Sequence, residues 1–169
     1  GPMGQISPMG PISPMGQISP IGPISPISKE SLVARESLSP GTELTYTDPT
    51  GAFSFGYFAP YVLTFITDTA GDTLLLQENG KGIQIYISDY TLKTPLTASL
   101  VKKELVGTLS NLKDITMPGG FPAVTFSTKT PAGEVWDVWF VQGEMLYQIT
   151  GDPDTNKILK KVVESFRFE

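Results

Sequence analysis

Residues 1–28 repeat every three residues without a break, and no other feature limits more tightly what this chain can fold into. In triplets the stretch reads GPM GQI SPM GPI SPM GQI SPI GPI SPI S. The first slot is always Gly or Ser, the second always Pro or Gln. The third is always Met or Ile, at Met3, Ile6, Met9, Ile12, Met15, Ile18, Ile21, Ile24 and Ile27. Three residues per turn is the period of polyproline II, which has no internal hydrogen bonds. Proline fixes its own φ and pushes the residue before it out of the helical region, so two positions in most triplets are already constrained. The sequence therefore predicts polyproline II with one small face, one proline face and one continuous aliphatic face, all without charge.

Other readings fit less well. A collagen triple helix needs Gly at every third residue, because only Gly fits at the crowded axis. Here Ser7, Ser13, Ser19 and Ser25 occupy that slot. A proline-rich spacer of ~3.1 Å per residue would reach roughly 85 Å. Spacers are polar, however, and nine aliphatic side chains in a row mark a binding surface. PxxP spacing occurs at Pro8, Pro11 and Pro14, but no basic residue precedes Lys29 to orient an SH3-type ligand. The stripe points to assembly. Gly4, Gly10, Gly16 and Gly22 would let another backbone approach, and the Met and Ile residues would supply the apolar burial.

The chain then divides into a connector (29–41) and a globular body (42–169), long enough for one core. Ser28 is a candidate N-cap for a short connector helix with Leu32, Val33 and Leu38 on one side, stopped by Pro40-Gly41. The net charge of −5 lies wholly in the body. Phosphate binding needs clustered Lys and Arg, so nucleic acid is not expected as a partner. No membrane insertion is expected, since no apolar run reaches transmembrane length. The chain has no Cys, which removes disulfides, thiolate zinc sites and thiol catalysis. Sparse charge with abundant Thr, Gly and Pro leans toward an extracellular or cell-surface location, after removal of an export signal.

The body reads as α+β: an antiparallel sheet with helices packed on its faces. Strands are expected at Leu44–Thr47, Phe53–Tyr57, Val62–Thr67, Thr73–Gln77, Ile83–Ser88, Leu112–Met117, Ala123–Thr128, Glu134–Val141 and Met145–Thr150. Asp48-Pro49-Thr50-Gly51, Asn79-Gly80, Pro131-Ala132-Gly133 and Gln142-Gly143 are turn signals. A helix is expected at Ala98–Val106, capped by Thr97 and ended by Gly107, with Leu96, Leu100, Val101 and Leu105 as its apolar face. A second is expected at Thr155–Phe166, with Ile158, Leu159, Val162, Val163 and Phe166 as its stripe.

The opening Leu44-Thr45-Tyr46, the Phe53-Ser54-Phe55-Gly56-Tyr57 strand, the middle helix and the closing helix running into Ser165-Phe166-Arg167-Phe168 resemble the PsbP-like domains. The resemblance covers about residues 43–169. Where family members continue with Pro and then Trp, this chain has Phe58-Ala59-Pro60-Tyr61. The resemblance implies an α-β-α sandwich and an exported location. It implies no enzyme activity.

Catalytic chemistry has little to work with. There is no His, so Ser-His, Cys-His and His-metal devices are absent. Glu134 and Asp137 are the best local carboxylate pair, yet on a strand they point to opposite faces. Asp152-Pro153-Asp154-Thr155-Asn156 begins like a calcium loop, but Lys157 and Val163 stand where that loop needs Gly and Glu. It reads better as a turn into a capped helix. Gly119-Gly120 opens a strand rather than a helix and lacks a phosphate-binding context. No catalytic residue, metal site or cofactor is expected. The dense aromatics Phe53, Phe55, Tyr57, Phe58, Tyr61 and Phe65 read first as core, and second as a groove for a neighbour's proline face. The function expected is a structural subunit of an extracellular filament or surface assembly, with other copies of itself as partners. The alternative is a cell-surface binding domain on a proline-rich stalk.

Overall fold

The computed structural model describes residues 38–105 and 107–169. The triplet repeat with all its expected assembly residues, the connector up to Ser37, and Val106 lie outside the described residues. The body begins with a hairpin. Strands β1 (Glu43–Thr47) and β2 (Phe53–Phe58) pair antiparallel across the Asp48-Pro49-Thr50-Gly51 turn. That turn closes because the Asp48 carboxylate accepts from the Thr50 N–H at 3.1 Å and the Gly51 N–H donates to the Asp48 carbonyl at 2.7 Å.

Seven further strands form the main sheet: β3 (Val62–Asp68), β4 (Gly71–Glu78), β5 (Lys81–Asp89), β6 (Ser110–Thr116), β7 (Pro122–Thr130), β8 (Gly133–Gln142) and β9 (Met145–Gly151). Their order is β3-β4-β5-β9-β8-β7-β6, antiparallel throughout. Two meanders are thus joined side by side, with Ile85 of β5 opposite Ile149 of β9. The β4–β5 turn uses Asn79 at φ 54° and Gly80 at φ 77°, the paired positive values that a two-residue hairpin loop requires. Gly82 just beyond it is needed for space, since a Cβ there would lie 1.7 Å from the Leu76 carbonyl oxygen.

The order of strands decides where the helices lie. The chain leaves β5 mid-sheet and must reach β6 at the far edge, so helix α1 (Ala98–Glu104) crosses one face on the way. The Thr97 side chain caps it, accepting from the Leu100 N–H at 3.2 Å. The helix ends at Glu104, short of the expected Val106, because Leu105 is already extended at φ −86°, ψ 129°. Helix α2 (Asn156–Ser165) follows β9 over the opposite face and leads into β10 (Arg167–Phe168), which pairs with β2 to make a separate three-stranded sheet, β1-β2-β10.

Alternation along each strand separates two interiors. On the α2 side, Leu74, Leu76, Ile83, Ile85, Val138, Phe140, Tyr147 and Ile149 meet Ile158, Leu159, Val162 and Val163 of the helix and Phe53, Phe55 and Tyr57 of β2. Phe166 sits among these rings, 5.3 Å from Phe53, 5.8 Å from Phe55 and 5.0 Å from Phe140. On the α1 side, Val101 packs with Val124, Phe126, Trp139 and Leu146, joined by Leu96, Leu100 and Leu105.

The body is more sheet-rich than the α-β-α sandwich expected from the sequence, with ten strands and two short helices among the described residues. The reason is that β2 and β10 share the covering of one face with α2, and α1 spans only seven residues. No helix among the described residues is long and apolar enough to cross a membrane.

Candidate functional site

The aromatics singled out in the sequence separate in the fold. Phe53, Phe55 and Tyr57 are core, because β2 turns that face toward α2. Phe65 on edge strand β3 is 44% exposed. Phe58 and Tyr61 are half-buried and line an open groove of about 950 Å³ together with Pro40, Gly41, Pro60 and residues of α2. Their rings meet edge-on, 5.5 Å apart at 78°.

Backbone bonds fix this corner. The Gly41 N–H donates to the Ala59 carbonyl at 2.8 Å, and the Ala59 N–H donates to the Thr42 carbonyl at 2.9 Å. The leading segment is thereby held against the β2–β3 connection, whose Ala59-Pro60 peptide is cis. Lys157 lies over the Phe58 ring with its ammonium 5.9 Å from the centroid, and Lys161 pairs with Glu43 across the groove. That pair holds the Glu43 carboxyl below its ordinary value. Burial, and then the Glu78 carboxylate, push the Tyr61 phenol up, so it stays a hydroxyl donor at neutral pH. The α2 wall of the groove comes from Lys157, Lys160, Lys161 and Glu164, and the helix is tied to β2 behind it by Ser165, whose hydroxyl accepts from the Gly56 N–H at 2.7 Å and donates to the Lys161 carbonyl at 2.6 Å.

A second unusual feature lies on the α1 side of the main sheet. Gln84, Thr150 and Asp137 stand side by side on β5, β9 and β8, and Tyr86, Gln148 and Trp139 form the next row. Gln148 and Thr150 are fully buried. The Trp139 Nε1, both polar side-chain atoms of Gln148 and the Thr150 hydroxyl find no hydrogen-bond partner among the described residues. Burial pushes the Asp137 carboxyl up to about 7. The Thr150 hydroxyl opposite opposes that rise without reaching hydrogen-bond geometry. Strand alternation separates Asp137 from Glu134 as expected, while the polar row around Asp137, drawn from three strands, was not legible locally.

Glu134 and Asp137 stand on opposite faces of β8. Glu134 lines a separate cleft of about 440 Å³ with Lys113, Trp136 and Asn156. Asp152 binds back to the β4–β5 hairpin, its carboxylate accepting from the Gly82 N–H at 3.0 Å. The Thr155 hydroxyl donates to the Asp152 carbonyl at 2.5 Å instead of capping α2. The segment is therefore a structural turn, although the expected side-chain cap is not made. Gly119 packs against the Phe166 carbonyl, which a Cβ would approach to 2.7 Å. Among the described residues no group of three or more Asp and Glu converges as a metal site.

No family model matches the sequence, and no curated protein matches it. Among solved structures the body is similar to the solution structure of cyanobacterial PsbP (CyanoP) from Synechocystis sp. PCC 6803. The TM-score is 0.55 at 12% sequence identity, covering 79% of this chain and 96% of that one. The body therefore has a PsbP-like fold.

Proposed function

We propose that this chain is a structural subunit of an extracellular filament or surface assembly, polymerising through its N-terminal polyproline II repeat packed on neighbouring copies. One contrast carries the reading. The body hides its own apolar residues, with Phe65 the one large hydrophobic exposed among those described. The repeat, by contrast, carries nine uncharged Met and Ile residues on one stripe, and such a stripe is driven to find cover. A location outside the cell belongs to this proposal too.

A partner-binding domain on a stalk is the second reading, favoured by the open cleft beside Trp136. Electron microscopy and light scattering of the full chain separate the two. Ordered polymers are expected from the native sequence. Replacing Ile12, Met15, Ile18 and Ile21 with Ser is expected to abolish them while leaving the melting temperature of the body unchanged. Polymers that survive the four changes at the same concentration would reject the stripe as the contact.

A further inference from the structure

We propose that the Phe58–Tyr61 groove is the seat for the triplet repeat of a second copy of this chain. The proposal rests on the assembly reading above and gives it a contact surface. Polyproline II segments dock on aromatic-lined grooves, because their rings are rigid and little conformational freedom is lost on binding. Here Phe58, Tyr61 and Pro60 supply an apolar ledge, and the edge-on rings leave a step between them.

The polar chemistry also matches. A polyproline II chain has carbonyls without internal partners, which need donors. The groove presents the Tyr61 hydroxyl and the ammonium groups of Lys157 and Lys160. Its acidic groups, Glu43, Glu78, Asp154 and Glu164, roughly balance Lys157, Lys160 and Lys161, so a ligand of either charge gains little. The repeat carries none.

Position selects the copy. Pro40 and Gly41 form one wall of the groove, so the repeat's own chain enters the body beside it. A polyproline II segment of this length would span roughly 85 Å, long enough to bridge from one copy to the groove of another. The contact joins two different surfaces, and such head-to-tail contacts generate open filaments when the rotation does not close.

The test uses the full chain throughout. Phe58→Leu with Tyr61→Leu keeps apolar volume over the core while removing both rings. Lys157→Glu changes only an exposed side chain and guards against a folding artefact. A labelled synthetic peptide of residues 1–27 is titrated, by fluorescence anisotropy, into the assembly-defective chain carrying the four Ser substitutions. Saturable binding is expected, weakened about tenfold or more by the double Leu change and less by Lys157→Glu, with melting temperatures preserved. The double Leu change is also expected to prevent polymerisation of the otherwise native chain. If the native chain polymerises and the groove variants polymerise and bind peptide equally well, the groove proposal is overturned and the assembly reading stands. If the native chain never polymerises at any concentration, the assembly reading itself fails. A compact monomer that excludes added peptide unless its own repeat is removed would show the groove filled from within, which also overturns the second-copy proposal.

Discussion

The two faces of the main sheet are made from alternate residues of the same strands, yet they are different kinds of interior. The α2 face is packed with rings, Phe53, Phe55, Phe121, Phe140, Tyr147 and Phe166, and turns polar only toward β7, at Thr125 and Ser127. The α1 face is apolar beneath the helix, at Val124, Phe126, Trp139 and Leu146, and again in a small separate cluster at Leu75 and Val135. Beside these clusters it buries Gln84, Gln148, Thr150 and Asp137. A buried polar atom without a partner costs about 1–3 kcal/mol, whereas buried apolar area stabilises. The difference teaches that the α2 face holds the fold together, and the α1 face is where stability can be raised by substitution.

The largest effect that would sharpen this contrast is Phe166→Ala. Phe166 is fully buried at the junction of α2, β2 and β8, and removing such a ring costs roughly 3–5 kcal/mol. Denaturant titration should show a large drop in midpoint, and a loss below about 1 kcal/mol would break the claim that this face dominates.

Next comes Asp137. Its carboxyl titrates at about 7 in the fold against 3.8 when free. Between those values the folded state holds a proton that the unfolded state has released. Stability therefore falls as pH rises, by up to about 1.4 kcal/mol per pH unit, with the slope fading as pH reaches 7, or roughly 2 kcal/mol in all from pH 5 to 7. Asp137→Asn should remove most of that slope and leave the protein more stable at pH 8. An unchanged slope in the Asn variant would show that the carboxyl is not desolvated.

The smallest effect is expected at Thr150→Val, which replaces an unpartnered buried hydroxyl by a methyl of similar size. A gain of about 1 kcal/mol is expected on the α1 face. A loss instead would mean that the hydroxyl is satisfied by a partner such as water.

Much of the body was legible along the chain because its signals are local. Alternation at Ile83, Ile85 and Ile87 marks a strand, and the stripe of Ile158, Leu159, Val162 and Val163 marks a helix; both are buried as expected. Asn79-Gly80 adopts the positive φ values that its turn needs, and Thr97 caps α1 as its position predicts. Each of these depends on residues a few positions apart, within reach of backbone sterics and side-chain periodicity.

What lay beyond the sequence depends on residues far apart. The sequence determined the triplet period, the hairpins and the apolar faces of both helices. It could not show that Arg167-Phe168 would become a strand, because that state exists only through pairing with Ser54 and Phe53. The Ser165 bond to Gly56 spans 109 residues, and the polar row gathers side chains from β5, β8 and β9. The groove at Phe58 and Tyr61 likewise needs α2 as its far wall. Tertiary structure alone decided these, because strand order sets which distant residues share a face, and no local preference encodes that order.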